Sequence, residues 1–222
     1  MSSDDGTPTG PTIRNGIERP AAETLAAAAL LPTSTLHEAG GRIGAMPSVI
    51  KPVSPAMRLC GPAVTVHSPA GDNLWLHRAI YVAQPGDVLV VHVSGGYDFG
   101  YWGEIMSCAA KTRGLAGLVI DGCVRDGAIL ADFGLPVFAR GLCMRGTGKD
   151  FGARGWINFP TLFDDLTVHA GDLIVGDTDG VVAIPRLLAY DVVAAAQQRE
   201  AKEAAILERI RAGERTLEVY KF

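Results

Sequence analysis

Basic residues are too few to set the character of this chain, with 20 Lys and Arg against 24 Asp and Glu and a formal net charge of −4. Sequence-independent binding of nucleic acid runs on phosphate neutralisation by clustered cations, so no nucleic-acid partner is expected. No stretch approaches the roughly 18 uninterrupted apolar residues of a membrane span, and no membrane partner is expected either. The opening, MSSDDGTPTGPTIRN, has neither a basic start nor an apolar run, so it is not read as a signal peptide. The four cysteines (Cys60, Cys108, Cys123, Cys143) form no CxxC pair and read as reduced, partly buried thiols of a cytoplasmic protein. Five scattered histidines without HxxxH or HxH spacing exclude a histidine-built zinc site. GxSxG is absent, and no cysteine sits in a nucleophile context. Lysine is scarce too: Lys51, Lys111, Lys149, Lys202 and Lys221 all fall outside the apolar strand-like runs. A Schiff-base lysine needs a desolvated pocket, which leaves Lys149 as the one candidate.

What the chain does have is apolar material and glycine. Of 222 residues 48% are hydrophobic, enough for a substantial core in one generous domain or two small ones, and too many for wholesale disorder. Glycine occurs 27 times, well above its usual share of about 7%, so many tight turns or close backbone approaches are expected.

Residues 1–20 lack apolar periodicity and read as a flexible tail. The Ala- and Leu-rich stretch 21–31 is helical by propensity and ends at Pro32. Thr33, Ser34 and Thr35 then offer N-cap hydroxyls for a second short helix starting near Leu36. Strands are expected at 63–67, 88–93, 118–121 and 137–140, with helices at 77–83, 104–113 and 125–133. Gly114 and Gly134 close the last two helices. Strand and helix alternate here as βαβαβ, the mark of an α/β layer. After Phe151 come close-set strands at 167–168, 173–175 and 181–184, the last two joined by an Asp179-Gly180 hairpin turn. Residues 186–211 form one long helix with apolar positions Leu188, Val192, Ala195 and Ala196. Residues 21–222 are therefore read as a single α/β domain with flanking helices.

The most informative stretch runs from Gly100 to Asp126. A glycine-rich loop enters a helix at Gly103-Glu104-Ile105-Met106, and free amides at a helix start favour an anion. Arg125-Asp126 follows an apolar strand, and carboxyl ends of strands are where ligands bind in open α/β sheets. Arg can fork onto a carboxylate or keto oxygen, and an adjacent Asp can hold a hard divalent metal. The plainer alternative is a salt bridge that merely caps the helix. Arg145-Gly146-Thr147-Gly148-Lys149-Asp150 lacks the Ser or Thr of a phosphate loop and reads as a mobile loop. His67 and His92 fall in strands and read as structural. Trp75, Tyr81, Trp102 and Trp156 read as an aromatic patch suited to an interface.

Three segments together resemble the RraA-like family: Gly103–Met106, Gly117–Gly122 and Val124-Arg125-Asp126. So do Leu135–Gly141, Gly171-Asp172 and Gly176–Val182, and the likeness extends over residues 25–220. That family includes class II pyruvate aldolases for 4-hydroxy-4-methyl-2-oxoglutarate and 4-carboxy-4-hydroxy-2-oxoadipate, and regulators of ribonuclease E. The resemblance implies a swivelling β/β/α fold, a homotrimer or homohexamer, and sites between subunits. For the aldolase branch it implies a divalent metal, Mg²⁺ or Mn²⁺, held near Asp126, with Arg125 and Asp126 catalytic. Gly103, Glu104, Ile105, Met106 and Arg125 would bind a 2-oxo acid substrate. Thr35–Arg42 is similar to the aldolases' His-Glu-Ala segment, whose Glu, here Glu38, reaches a neighbouring subunit's site. A C-terminal acidic residue joins it, Glu200 or Glu203. Aldolases often carry acidic residues three and six positions after the Asp, where this chain has Ile129 and Asp132. The rival implication is a non-catalytic regulator that binds a ribonuclease.

Overall fold

Four short runs of β-branched and apolar residues build the centre of the molecule, and their continuity reflects burial on both faces. The structure is a computed structural model that describes residues 12–222. The first half contains α1 (Ala22–Ala28), α2 (Thr33–Ala39), β1 (Lys51–Pro52), β2 (Leu59–His67), α3 (Leu74–Val82) and β3 (Val88–His92). Next come α4 (Glu104–Thr112), β4 (Gly117–Asp121), β5 (Cys123–Val124), α5 (Gly127–Asp132), β6 (Val137–Ala139) and β7 (Gly141–Leu142). Three more short strands and two longer ones follow: β8 (Trp156–Ile157), β9 (Thr161–Phe163), β10 (Leu166–Val168), β11 (Leu173–Asp177) and β12 (Gly180–Ile184). The chain closes with α6 (Ala189–Arg211) and α7 (Thr216–Tyr220).

The main sheet runs β1-β6-β4-β3-β2-β11-β12, with β8 also pairing to β2. Strands β2, β3, β4 and β6 are parallel, as the βαβαβ pattern requires. Strands β1, β8, β11 and β12 join it antiparallel. On one face α3 and α4 pack through Leu76, Ile80 and Met106 onto Leu89, Val91, Leu118 and Ile120. On the other, Val88, Val90, Val119 and Phe138 meet Phe163 and Val168 of the β9–β10 hairpin. A third cluster seals α1, α2 and α6 onto β11 and β12 through Leu36, Val175, Ile184 and Val192. The result is one α/β domain.

Several local expectations change. Residues 1–11 of the expected tail lie outside the described residues. Residues 12–20 are held against the domain: Ile13 bridges Ile157, and Arg19 forks onto the buried carboxylate of Asp87 at 2.8 Å. Helix α2 begins at Thr33 with Pro32 as N-cap, because Thr33 gives both its amide and its hydroxyl to Asp177. The β11–β12 hairpin turns one residue earlier than expected, over Thr178-Asp179, since Asp177 pairs with Gly180. The buried stripe of α6 is Ala189, Val192, Val193 and Ala196, while Ala195 and Leu188 face solvent. Trp75 and Trp102 are core residues at 4% and 1% exposure, so the expected patch of Trp75, Tyr81, Trp102 and Trp156 does not form.

Candidate active site

Beyond the carboxyl ends of β3 and β4 the chain loops through Gly100–Gly103 before entering α4. The loop is held by backbone bonds: Gly100 donates to Arg145 O (2.8 Å), Tyr101 to Cys123 O (3.1 Å), and Arg125 to Trp102 O (2.8 Å). Tyr101 and Trp102 point inward. The Trp102 indole donates to Ser107 Oγ at 2.7 Å, and the Tyr101 hydroxyl accepts from Gly71 N at 2.7 Å. Close approach of backbone requires glycine at Gly100, and a side chain at Gly103 would displace the Asp126 carboxylate. A Cβ at Gly100 would stand 2.4 Å from Cys143 O, and one at Gly103 would stand 2.3 Å from Asp126 Oδ2.

Around this loop lies a cleft of about 230 Å³ that brings together Arg125, Gly103, Ile105, Met106, Asn73, His77 and Lys149. Asp126 sits beside it in a left-handed conformation (φ +61°), a backbone that Asp adopts more readily than most residues. Its Oδ2 accepts from Glu104 N at 3.0 Å and lies 3.8 Å from Arg125 Nε. Asp126 therefore closes the first amide of α4, and the amides of Gly103, Ile105 and Met106 beside the cleft keep no acceptor among the described residues. Glu104 points its side chain to solvent and does not line the cleft.

Asn73 and His77 carried no local motif, Lys149 was singled out only as a candidate Schiff-base lysine, and only the fold brings the three to Arg125. Asn73 Nδ2 donates to Tyr101 O at 2.9 Å, while its buried Oδ1 has no partner among the described residues. Burial holds the His77 imidazole below its usual range, with the Lys149 charge acting in the same direction. The segment around Lys149, expected to be mobile, is tied down. Gly148 N donates to Gly71 O (2.7 Å), and Asp150 N donates to the buried Asp72 carboxylate (2.5 Å).

A model of the RraA-like family, Aldolase/RraA, matches residues 22–183. The chain belongs to the RraA-like family. A Halalkalibacterium halodurans protein named "Putative 4-hydroxy-4-methyl-2-oxoglutarate aldolase" is 35% identical over 175 residues, covering 79% of this chain and 82% of that one. A crystal structure of an uncharacterized protein from Pseudomonas syringae pv. tomato superimposes with a TM-score of 0.81 at 30% identity, covering 96% of this chain and 99% of that one. A Streptomyces coelicolor structure, described as an unusual member of the RNase ES inhibitor RraA protein family, superimposes with a TM-score of 0.72. It is 27% identical and covers 87% of this chain and 100% of that one.

Within one RraA-like chain Glu38 does not meet Arg125 and Asp126. It lies on α2, where its carboxylate contacts Arg199 of α6. Arg199 Nε also holds Glu203 Oε1 at 2.7 Å, and Thr35 Oγ1 donates to Glu200 Oε1 at 2.6 Å. The three acidic candidates thus gather on one surface, away from the cleft lining. A divalent cation fits Asp126 on donor chemistry. Its half-exposed carboxylate keeps Oδ1 without a bond among the described residues, and Mg²⁺ is commonly held by one or two carboxylates with water and substrate. No cluster of three or more His, Cys, Asp or Glu side chains forms an all-protein cage among the described residues.

His67 and His92 lie elsewhere. They pair in register at the ends of β2 and β3, and the His67 ring stacks on Trp156 at 3.9 Å. Beside them Arg140 binds the buried Asp121 at 2.6 Å and covers the Tyr97 ring at 3.7 Å.

Proposed function

We propose that this RraA-like protein is a class II pyruvate aldolase that cleaves 4-hydroxy-2-oxo acids such as 4-hydroxy-4-methyl-2-oxoglutarate or 4-carboxy-4-hydroxy-2-oxoadipate. The observation that supports it most is the sharing of one cleft by Arg125, the open amides of α4 and Lys149, with Asp126 alongside. The name of the H. halodurans relative points the same way.

In this reading the amides of Ile105 and Met106 take the substrate's 1-carboxylate. Arg125 donates to the 2-oxo oxygen and stays with it as negative charge develops. Lys149, across the cleft, receives the distal carboxylate. A water oriented by Glu38 of a neighbouring copy accepts the C4 hydroxyl proton, and the C3–C4 bond breaks to leave the pyruvate enolate against Arg125; the exposed Glu104, outside the cleft lining, has no part in this step. Asp126 would hold Mg²⁺ or Mn²⁺, which when bound withdraws electron density from the 2-oxo group. Oxaloacetate decarboxylation passes through the same enolate and follows as a second activity.

The test is pyruvate release from 4-hydroxy-4-methyl-2-oxoglutarate before and after chelation. Loss with EDTA and return with Mg²⁺ or Mn²⁺ is expected, and full activity after thorough chelation would sink the metal assignment. Borohydride with pyruvate is expected to leave no adduct on Lys149. A trapped adduct would establish a lysine-dependent mechanism instead. The second reading, a non-catalytic partner of a ribonuclease, is favoured by the likeness to the S. coelicolor structure. Inhibition of a ribonuclease together with absence of pyruvate release from every 2-oxo acid tried would establish it.

A further inference from the structure

A second cleft, about 440 Å³, shares no residue with the first. It lies where the N-terminal segment, the turn after β8, the β10–β11 turn and the β12–α6 turn meet. Its basic side chains are Arg14, Arg186 and His169. Arg186 Nη1 is paired with the exposed Glu18 at 2.6 Å. Arg14 stacks on Phe159 at 3.9 Å and has no ion-pair partner among the described residues. The carboxylate in the lining, Asp172, is already engaged: Oδ1 accepts from Arg186 N (3.0 Å) and Oδ2 from His169 N (2.8 Å). Asn158, 7% exposed, lines the same cleft with a left-handed backbone (φ +65°). Its Nδ2 donates to Arg14 O at 2.8 Å, while its buried Oδ1 has no partner among the described residues. A buried amide oxygen without a donor is rare in folded proteins.

The two demands select one ligand chemistry. The Arg14 charge, which has no ion-pair partner among the described residues, favours an anion over a metal cation, and a plain carboxylate would leave the Asn158 oxygen unpaired. A molecule with both a carboxylate and a hydroxyl meets the guanidinium and the amide oxygen together. We infer that this cleft is a second ligand site of the chain, taking a small hydroxycarboxylate through Arg14, His169 and Asn158.

The experiment follows the His169 ring by NMR in the Arg125→Ala chain, which disables the first cleft, with the resonance assigned by its loss in His169→Asn. L-malate is expected to shift it saturably, with succinate, which lacks the hydroxyl, binding about tenfold weaker. Adding Arg14→Ala, a change to an exposed side chain, is expected to weaken malate about tenfold as well. No saturable shift, equal binding of succinate, or undiminished malate binding without Arg14 would each overturn the proposal. Pyruvate release by the unaltered enzyme is a separate readout, so failure here and failure of the aldolase reading are distinguishable.

Discussion

At the scale of single residues, Arg125 and Asp126 are adjacent, half-exposed and 3.8 Å apart, a separation at which a surface pair contributes about 0–1 kcal/mol. If that were their whole role, Arg125→Ala would barely change turnover. As the donor to a developing enolate oxygen, Arg125→Ala is expected to lose about 10²–10³ in kcat, with oxaloacetate decarboxylation falling in parallel. Arg125→Lys should recover little, since an ammonium cannot reproduce the planar fork. Asp126→Ala should instead raise the metal concentration needed for half-maximal activity, with partial rescue by excess Mn²⁺. A second residue-scale prediction concerns His67, whose pKa is pushed down to about 4 by burial, with the nearby His92 charge adding to it. An unfolded histidine binds a proton near pH 6.5, so the unfolded state takes up the proton first as pH falls. The neutral His67 therefore contributes stability in full above about pH 6.5 and loses it on acidification toward pH 4. The melting temperature should fall over that window more steeply in the wild type than in His67→Gln. Parallel slopes would refute this.

At the scale of elements, the short helix α2 is held by one aspartate. Asp177, at the end of β11, accepts from Thr33 N (2.9 Å), Thr33 Oγ1 (2.8 Å) and Asp179 N (2.9 Å). Burial pushes its pKa up, but these three donors outweigh it and hold the carboxyl below its usual range. Asp177→Ala would leave the buried hydroxyl and amide of Thr33 unpaired together with the hairpin amide. A loss of about 2–4 kcal/mol is expected by denaturant titration, with Asp177→Asn recovering part of it. Because α2 carries Glu38, the same variant should lower activity through the position of that carboxylate. If stability falls and kcat does not, Glu38 has no part in the reaction.

At the scale of the whole molecule, Glu38 and Arg125 occupy different surfaces of one chain, so a site using both requires two copies. Glu38→Ala and Arg125→Ala chains, each inactive alone, are expected to regain partial activity when dissociated, mixed and reassembled, since some shared sites then hold both native residues. Light scattering should find active material only in oligomeric fractions. A fully active monomer would exclude any role for Glu38 in the site.

The parallel centre of the fold was readable from the sequence because strands buried on both faces must be apolar throughout, as Val88–Val91 and Leu118–Ile120 are. The glycine-rich entry to α4 and the Arg125-Asp126 pair were readable for a different reason. Backbone amides and an αL aspartate are local devices, set by residues adjacent in the chain. Asn73 and His77 were beyond that kind of reading, and Lys149 stood out only as a candidate Schiff-base lysine, not as a neighbour of Arg125. They come from α3 and from a loop pinned to Asp72, and only packing brings them opposite Arg125. The same limit explains the aromatic residues, since Trp75 and Trp102 look like interface material until α3 and α4 close over them. Composition and local spacing determined which elements form and which side chains could do chemistry. Tertiary structure decided which of those side chains meet, because long-range contacts depend on crossovers and packing that no short window of sequence contains.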